Sequence, residues 1–283
     1  MAAVLGTKSD VGCVLATVQF MTHHTQHGPA TVPSTPEQCS GTVQSEYVSG
    51  AEPRDGQWIY RKVVHRQARL NFTNGLNPTT EQSGGPAPWR RYERESWTQY
   101  GSGKLFRTRL SPQDIDSPGH ANWGSPQSLR GKLAKLPDNP QQLLEVLRSV
   151  IPTEDDVQDS KDSANYGRIM LVFSEVAFIP PKVRGSLYRA LGEIPGVKFD
   201  YRPVKDAIGR PALAVYEPNS VFTRDLNLRE ELLLDPETFQ YRGKRTLYVA
   251  DGKLDGKVTT KDTLVQVSAL AKTAVVDNHS LRP

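Results

Sequence analysis

The chain has 283 residues, 35 basic and 31 acidic, for a net charge of +4 spread along its length. That length suffices to bury a core in one large or two small domains, and the interspersed charge excludes a basic arm for nucleic acid. Hydrophobic content of 37% with 22 Gly and 21 Pro points to long irregular segments beside a folded part.

Residues 1–53 hold no lasting period of 2 or 3.6, and Pro29, Pro33 and Pro36 break whatever starts. We expect a disordered or non-native lead, followed by a single domain over 54–283. The two cysteines, Cys13 and Cys39, both fall in this lead and set no disulfide framework. His23 and His27 have helical metal-ligand spacing with His24 between them, but Gly28 and Pro29 stop any helix. The carboxylate of a metalloprotease motif is missing, so a polar tail is the plainer reading. The apolar run Cys13–Met21 includes Thr17 and Gln19 and falls short of the ~18 residues a span needs. Met1–Leu5 is too short for the core of a signal peptide, so the chain as written is expected to be soluble.

Gln57–Leu70, rich in Trp58, Ile59, Tyr60, Val63 and Val64, reads as a strand entered through the turn Asp55-Gly56. After a loop over 71–88, Trp89–Tyr100 and Lys104–Leu110 read as a hairpin closed by Gly101-Ser102-Gly103. Ser111–Ser128 reads as an irregular loop. Asn139 caps a helix that starts at Pro140 and buries Leu143, Leu144, Leu147 and Ile151. Beyond the acidic linker Thr153–Asp162, a second helix is expected over Ala164–Phe178, with Tyr166, Ile169, Met170, Phe173 and Val176 inward. A third opens at Pro180-Pro181 and repeats Val183, Leu187 and Leu191, with Gly192 and Gly196 where it stops. Four strands follow, Val197–Val204, Pro211–Tyr216, Glu230–Leu234 and Phe239–Val249, with turns at Asp206–Gly209 and Asp235–Thr238. Asp262–Asp277 supplies a last strand or two.

Several phrases in this order carry a resemblance. They are Leu136-Pro137-Asp138, Ser186-Leu187-Tyr188-Arg189-Ala190-Leu191, Ile194-Pro195-Gly196-Val197, Asp206-Ala207-Ile208-Gly209-Arg210-Pro211, and Glu230–Asp235-Pro236 ahead of Arg242-Gly243-Lys244-Arg245. From about Gln57 to Pro283 the chain resembles an uncharacterised family of actinobacterial membrane-anchored extracytoplasmic proteins, often encoded near extracytoplasmic-function sigma factors. The resemblance implies a cell-envelope location and a membrane anchor ahead of the domain, which this sequence lacks. It implies no catalytic residues, because the family has none agreed.

Strands, then helices, then strands predict an α+β fold. We expect a large twisted antiparallel sheet, an open half-barrel like that of lipoprotein carriers, with about three helices inserted mid-chain. The enzyme case rests on Glu93 and Glu95, ~7 Å apart on one strand face and so at the spacing of an inverting glycoside hydrolase. Arg91, Arg94 and Lys104 beside them fit an ordinary charged strand surface equally well. A nucleophile elbow and a phosphate loop are absent, His65 and His120 lack a nucleophile, and no cofactor or metal is implied. The aromatics are plainest as core. If the sheet curves, Trp58, Tyr60, Trp97, Tyr241 and Tyr248 form a ligand-binding set on an apolar surface. Strict alternation puts Phe239, Tyr241, Leu247 and Val249 on one face, and Gln240, Arg242, Lys244 and Thr246 on the other.

The expected function is a non-catalytic envelope binding or sensor domain in signalling. Its partner is a protein or an apolar ligand, not nucleic acid, and it meets the membrane only through an anchor outside this chain. The alternatives are the glycoside hydrolase and a purely structural envelope module.

Overall fold

The computed structural model describes residues 53–68, 70–73, 77–80, 89–110, 119–120, 124–152, 160–220, 226–254 and 257–283. The lead, with Cys13, Cys39 and His23, His24 and His27, lies outside them.

The first strands are β1 (Trp58–Gln67), β2 (Leu70–Thr73), β3 (Asn77–Thr80), β4 (Arg90–Gln99), β5 (Lys104–Leu110) and β6 (Gly119–His120). Helices α1 (Pro126–Leu133), α2 (Pro140–Val150), α3 (Lys161–Glu175) and α4 (Pro181–Glu193) follow. The chain then returns to strands with β7 (Lys198–Lys205), β8 (Pro211–Tyr216), β9 (Leu228–Leu234) and β10 (Tyr241–Tyr248). It ends with β11 (Gly252–Leu254), β12 (Lys257–Thr259) and β13 (Leu264–Val276). Nine strands make one open antiparallel sheet in the order β6-β5-β4-β1-β13-β10-β9-β8-β7. The fold is therefore α+β with a large antiparallel sheet that does not close into a barrel.

The last strand joins the two halves of the sheet. β13 pairs with β1 on one side and β10 on the other, so the first and last strands are central neighbours. The helices cover one face of the β8–β10 half. Tyr166, Phe173, Leu187 and Tyr188 pack there against Val215, Leu232 and Leu234. Val183, Leu187 and Leu191 are all buried, as their spacing requires. The opposite face carries a second cluster of mostly small residues, with Val64, Ala214, Leu233 and Ala269 among them.

Caps explain the helix boundaries. Asn139 Oδ1 accepts from the Gln142 amide at 3.0 Å, and Pro140 takes the first turn of α2. Helix α3 starts earlier than its apolar stripe suggests, at Lys161, because Ser160 Oγ accepts from the Ser163 amide at 3.2 Å. Ser163 Oγ in turn donates to the buried Glu217 at 2.6 Å, fastening that helix end to the chain beyond β8. The same helix ends at Glu175, and Val176 is extended, so the expected continuation to Phe178 is instead a crossing strap.

The chain has a fourth helix among the described residues where about three were expected. Helix α1 has only Leu129 and Leu133 as buried positions and Gly131 inside it, too little for a visible period. Its Ser125 cap and Pro126 were the legible signal.

Candidate functional site

A cavity of about 170 Å³ lies between the helix layer and the β4–β1–β13–β10 part of the sheet. Its floor is the row Ile59, Arg61, Val63 and His65 of β1 with Arg94, Ser96 and Thr98 of β4. The two strands pair Val63 with Arg94 and Arg61 with Ser96, so these side chains share one face. The roof comes from the start of α1, through Pro126 and Leu129, and from the strap Ser174–Phe178 that links α3 to α4.

Arg61 holds the strap in place. Its Nη1 donates to the Glu175 carbonyl at 3.2 Å and its Nη2 to the Ser174 carbonyl, while the Glu175 carboxylate stands 3.9 Å away. His65 stacks on Tyr92 with ring centroids 4.7 Å apart and planes 6° from parallel. Lys244 and Ser268 close the far side, and the Lys244 amide donates to Ser268 Oγ at 3.0 Å. The surface is thus mixed, with aliphatic side chains in the roof and basic ones in the floor.

A second, smaller cavity of about 30 Å³ adjoins it. Both are walled by Arg61, Val176, Ala177 and Tyr241.

The five expected ligand residues do not form one site. Tyr241 lines both cavities. Trp58, Tyr60 and Trp97 pack together with Val276 on the opposite face of the sheet from Arg61 and Val63. The C-terminal residues cover them there. His279 lies 5.2 Å from the Trp58 ring, and Trp97 Nε1 donates to the Leu281 carbonyl at 2.9 Å. Tyr248 belongs to a third place, packed with Leu228 and Val265, where burial raises its pKa.

The alternation read along β10 also needs correcting. Tyr241 pairs with Leu234 but Gly243 pairs with Leu233, so Arg242 is an extra residue and the parity shifts by one. Tyr241 and Lys244, expected on opposite faces, both line the larger cavity.

Glu93 and Glu95 sit on the covered face and are each taken up by cations. Glu93 lies 2.6 Å from Lys62 and 3.2 Å from Arg91. Glu95 is 3% exposed, accepts from the Tyr60 hydroxyl at 2.7 Å and from Arg282 Nε at 2.8 Å. Burial works to raise the Glu95 pKa, but the hydrogen bonds from Tyr60 and Arg282 and the charges of Arg282 and Lys62 outweigh it and hold the carboxyl below its usual range. Tyr60 moves the other way, raised by burial and by the same Glu95.

Asp206–Arg210 is a structural turn. Asp206 Oδ1 accepts from the Ile208 and Arg210 amides at 3.0 Å, its Oδ2 from Arg210 Nε at 2.7 Å, and Gly209 takes φ +87°. The described residues contain no group of three His, Cys, Asp or Glu placed to hold a metal ion. None of their helices is long and apolar enough to cross a membrane.

The cavity residues Arg61, Val63, Arg94, Lys244 and the strap were not singled out from sequence. Their signal was present in β1, where two rows alternate, Trp58, Tyr60, Lys62 and Val64 against Ile59, Arg61, Val63 and His65. Aromatic content drew attention to the first row, whereas the helices lie over the second.

Comparison with known proteins adds little. No protein-family model matches the chain, and no curated protein matches it. Among solved structures, the chain is similar to one in the complex of Pseudomonas aeruginosa MucA/MucB, at 13% identity and a TM-score of 0.31 over 78% of this chain. That alignment takes in 53% of the other chain, so this one spans about half its length. A DUF1329 family protein from Desulfovibrio piger ATCC 29098 aligns at 8% identity and a TM-score of 0.16, over 80% of this chain and 91% of the other. At such scores neither likeness carries an argument.

Proposed function

We propose that the chain is a non-catalytic binding or sensor domain of the cell envelope, which seats an apolar group under its helix layer and reports it to a protein partner. The observation that supports the binding reading is the cavity of about 170 Å³ beneath the strap, with Val63, Leu129, Val176 and Phe178 in its wall. Drug-sized ligands take roughly 300–1,000 Å³, so this space suits the end of a ligand, one acyl tail or one side chain. The envelope location, the protein partner and the signalling role rest on the family resemblance.

The hydrolase alternative fares worse on its own requirement. A general acid needs a raised carboxyl pKa, and Glu95 carries the opposite shift on a covered face. The purified domain should enhance the fluorescence of the neutral probe N-phenylnaphthylamine and hydrolyse no glycoside, ester or peptide. Tyr241→Asp should suppress the probe signal while the far-ultraviolet spectrum stays unchanged. Turnover that disappears in Glu93→Gln or Glu95→Gln would promote the enzyme. The absence of both turnover and probe signal would leave the structural module.

A further inference from the structure

We propose that the smaller cavity is a carboxylate subsite, so that the ligand is an amphiphile with an acid head and a short apolar tail. This rests on the binding function proposed for the adjoining cavity and names the chemistry of its ligand.

Two buried polar atoms lead to it. Arg61 Nε and Thr273 Oγ1 are both inaccessible to solvent and have no hydrogen-bond partner. They belong to directly paired residues, Arg61 of β1 and Thr273 of β13, and both residues line the smaller cavity. A buried donor left unpaired costs about 1–3 kcal/mol, so two together in one cavity wall call for an occupant. Arg184 and Gln240 add a second guanidinium and an amide to the same wall, and no Asp or Glu lines it. The wall therefore offers donors and positive charge, which select an anion over a neutral guest. Arg61 is only partly neutralised, because its Glu175 neighbour stands 3.9 Å away with a side chain 50% exposed.

Size chooses among anions. A cavity of about 30 Å³ has room for roughly two water-sized groups. The two oxygens of a carboxylate fit that space, and the three free oxygens of a phosphate monoester exceed it. The shared wall of Arg61, Val176, Ala177 and Tyr241 then lets the tail lie in the larger cavity, against its aliphatic roof.

The test sets octanoate against octanol and octyl phosphate in displacing N-phenylnaphthylamine from the intact chain. Octanoate should displace the probe at a concentration roughly tenfold or more below that of octanol, the scale of one charge-assisted hydrogen bond. Arg61→Gln should abolish that advantage and leave octanol unchanged. Because Arg61 also holds the strap, Thr273→Val provides a second variant of nearly the same shape, and it should cut the advantage several-fold. Equal displacement by octanoate and octanol, or an advantage untouched by both variants, overturns the subsite and leaves the apolar cavity standing. Octyl phosphate outcompeting octanoate by the same margin overturns the size argument. No displacement by octanol or octanoate means that the apolar cavity reading has failed, and the subsite with it.

Discussion

Arg282 Nε lies 2.8 Å from Glu95 Oε2, tying the C-terminal segment to a strand 187 residues earlier. The guanidinium also rests over the Trp97 ring at 5.5 Å. This pair decides which face of the sheet is open, because the segment it anchors covers Trp58, Tyr60 and Trp97. Ligand binding is thereby left to the helix side.

Glu95 should give the acid limb of the stability curve part of its slope. Its folded pKa is depressed, so it contributes stability above the ordinary glutamate value of about 4.3, and that stability is lost as pH falls through the lower folded value. Glu95→Gln should cost about 1–3 kcal/mol near pH 7, the scale of hydrogen bonds to a charged group, and little near pH 3. Urea unfolding of both proteins at the two pH values measures it. A cost that stays constant with pH would contradict the assignment.

Removing Leu281, Arg282 and Pro283 should uncover Trp97, whose indole donates to the Leu281 carbonyl. The tryptophan emission should shift to the red, and binding of a probe in the helix-side cavity should be unaffected. Loss of that binding on truncation would place the site on the wrong face.

Leu187 is fully buried at the centre of the α4 stripe. Leu187→Ala should destabilise by about 2–5 kcal/mol in urea unfolding, the range for a buried large-to-small change. A cost under about 1 kcal/mol would be a surface value and would contradict the packing.

Gly243 is required by close approach. A Cβ built on it would lie 2.2 Å from the Ser268 carbonyl oxygen of the neighbouring strand. Gly243→Ala should therefore force β10 and β13 apart and cost about 1–3 kcal/mol or more. It should also disturb the cavity, since Tyr241 and Lys244 flank the bulge. Unchanged stability and unchanged probe binding together would show that the bulge is not needed there.

Much of the architecture was legible because it is local. The Asn139-Pro140 cap, the Val183–Leu187–Leu191 stripe and the Asp206–Gly209 turn are each written within a few residues. The choice of sheet face was not, since alternation along β1 yields two rows and says nothing of which one meets helices. That choice depends on α1, the strap and residues 277–283, far away in sequence. The bulge at Arg242 likewise shifts a parity that the strand's own pattern appeared to set. The candidate site was missed for the same reason. Its floor mixes Arg61 and Arg94 with Val63, which along the chain looks like an ordinary charged strand.

The most direct test is to map where a small apolar guest lands. With octanol added to isotope-labelled protein, the amide shifts should move at Ile59, Val63, Val176 and Phe178, the floor and roof of the cavity. Trp58, Trp97 and the C-terminal residues should stay still. Shifts confined to Trp58, Tyr60 and Trp97 would contradict the account, since they would put the binding surface beneath the C-terminal segment instead of under the helices.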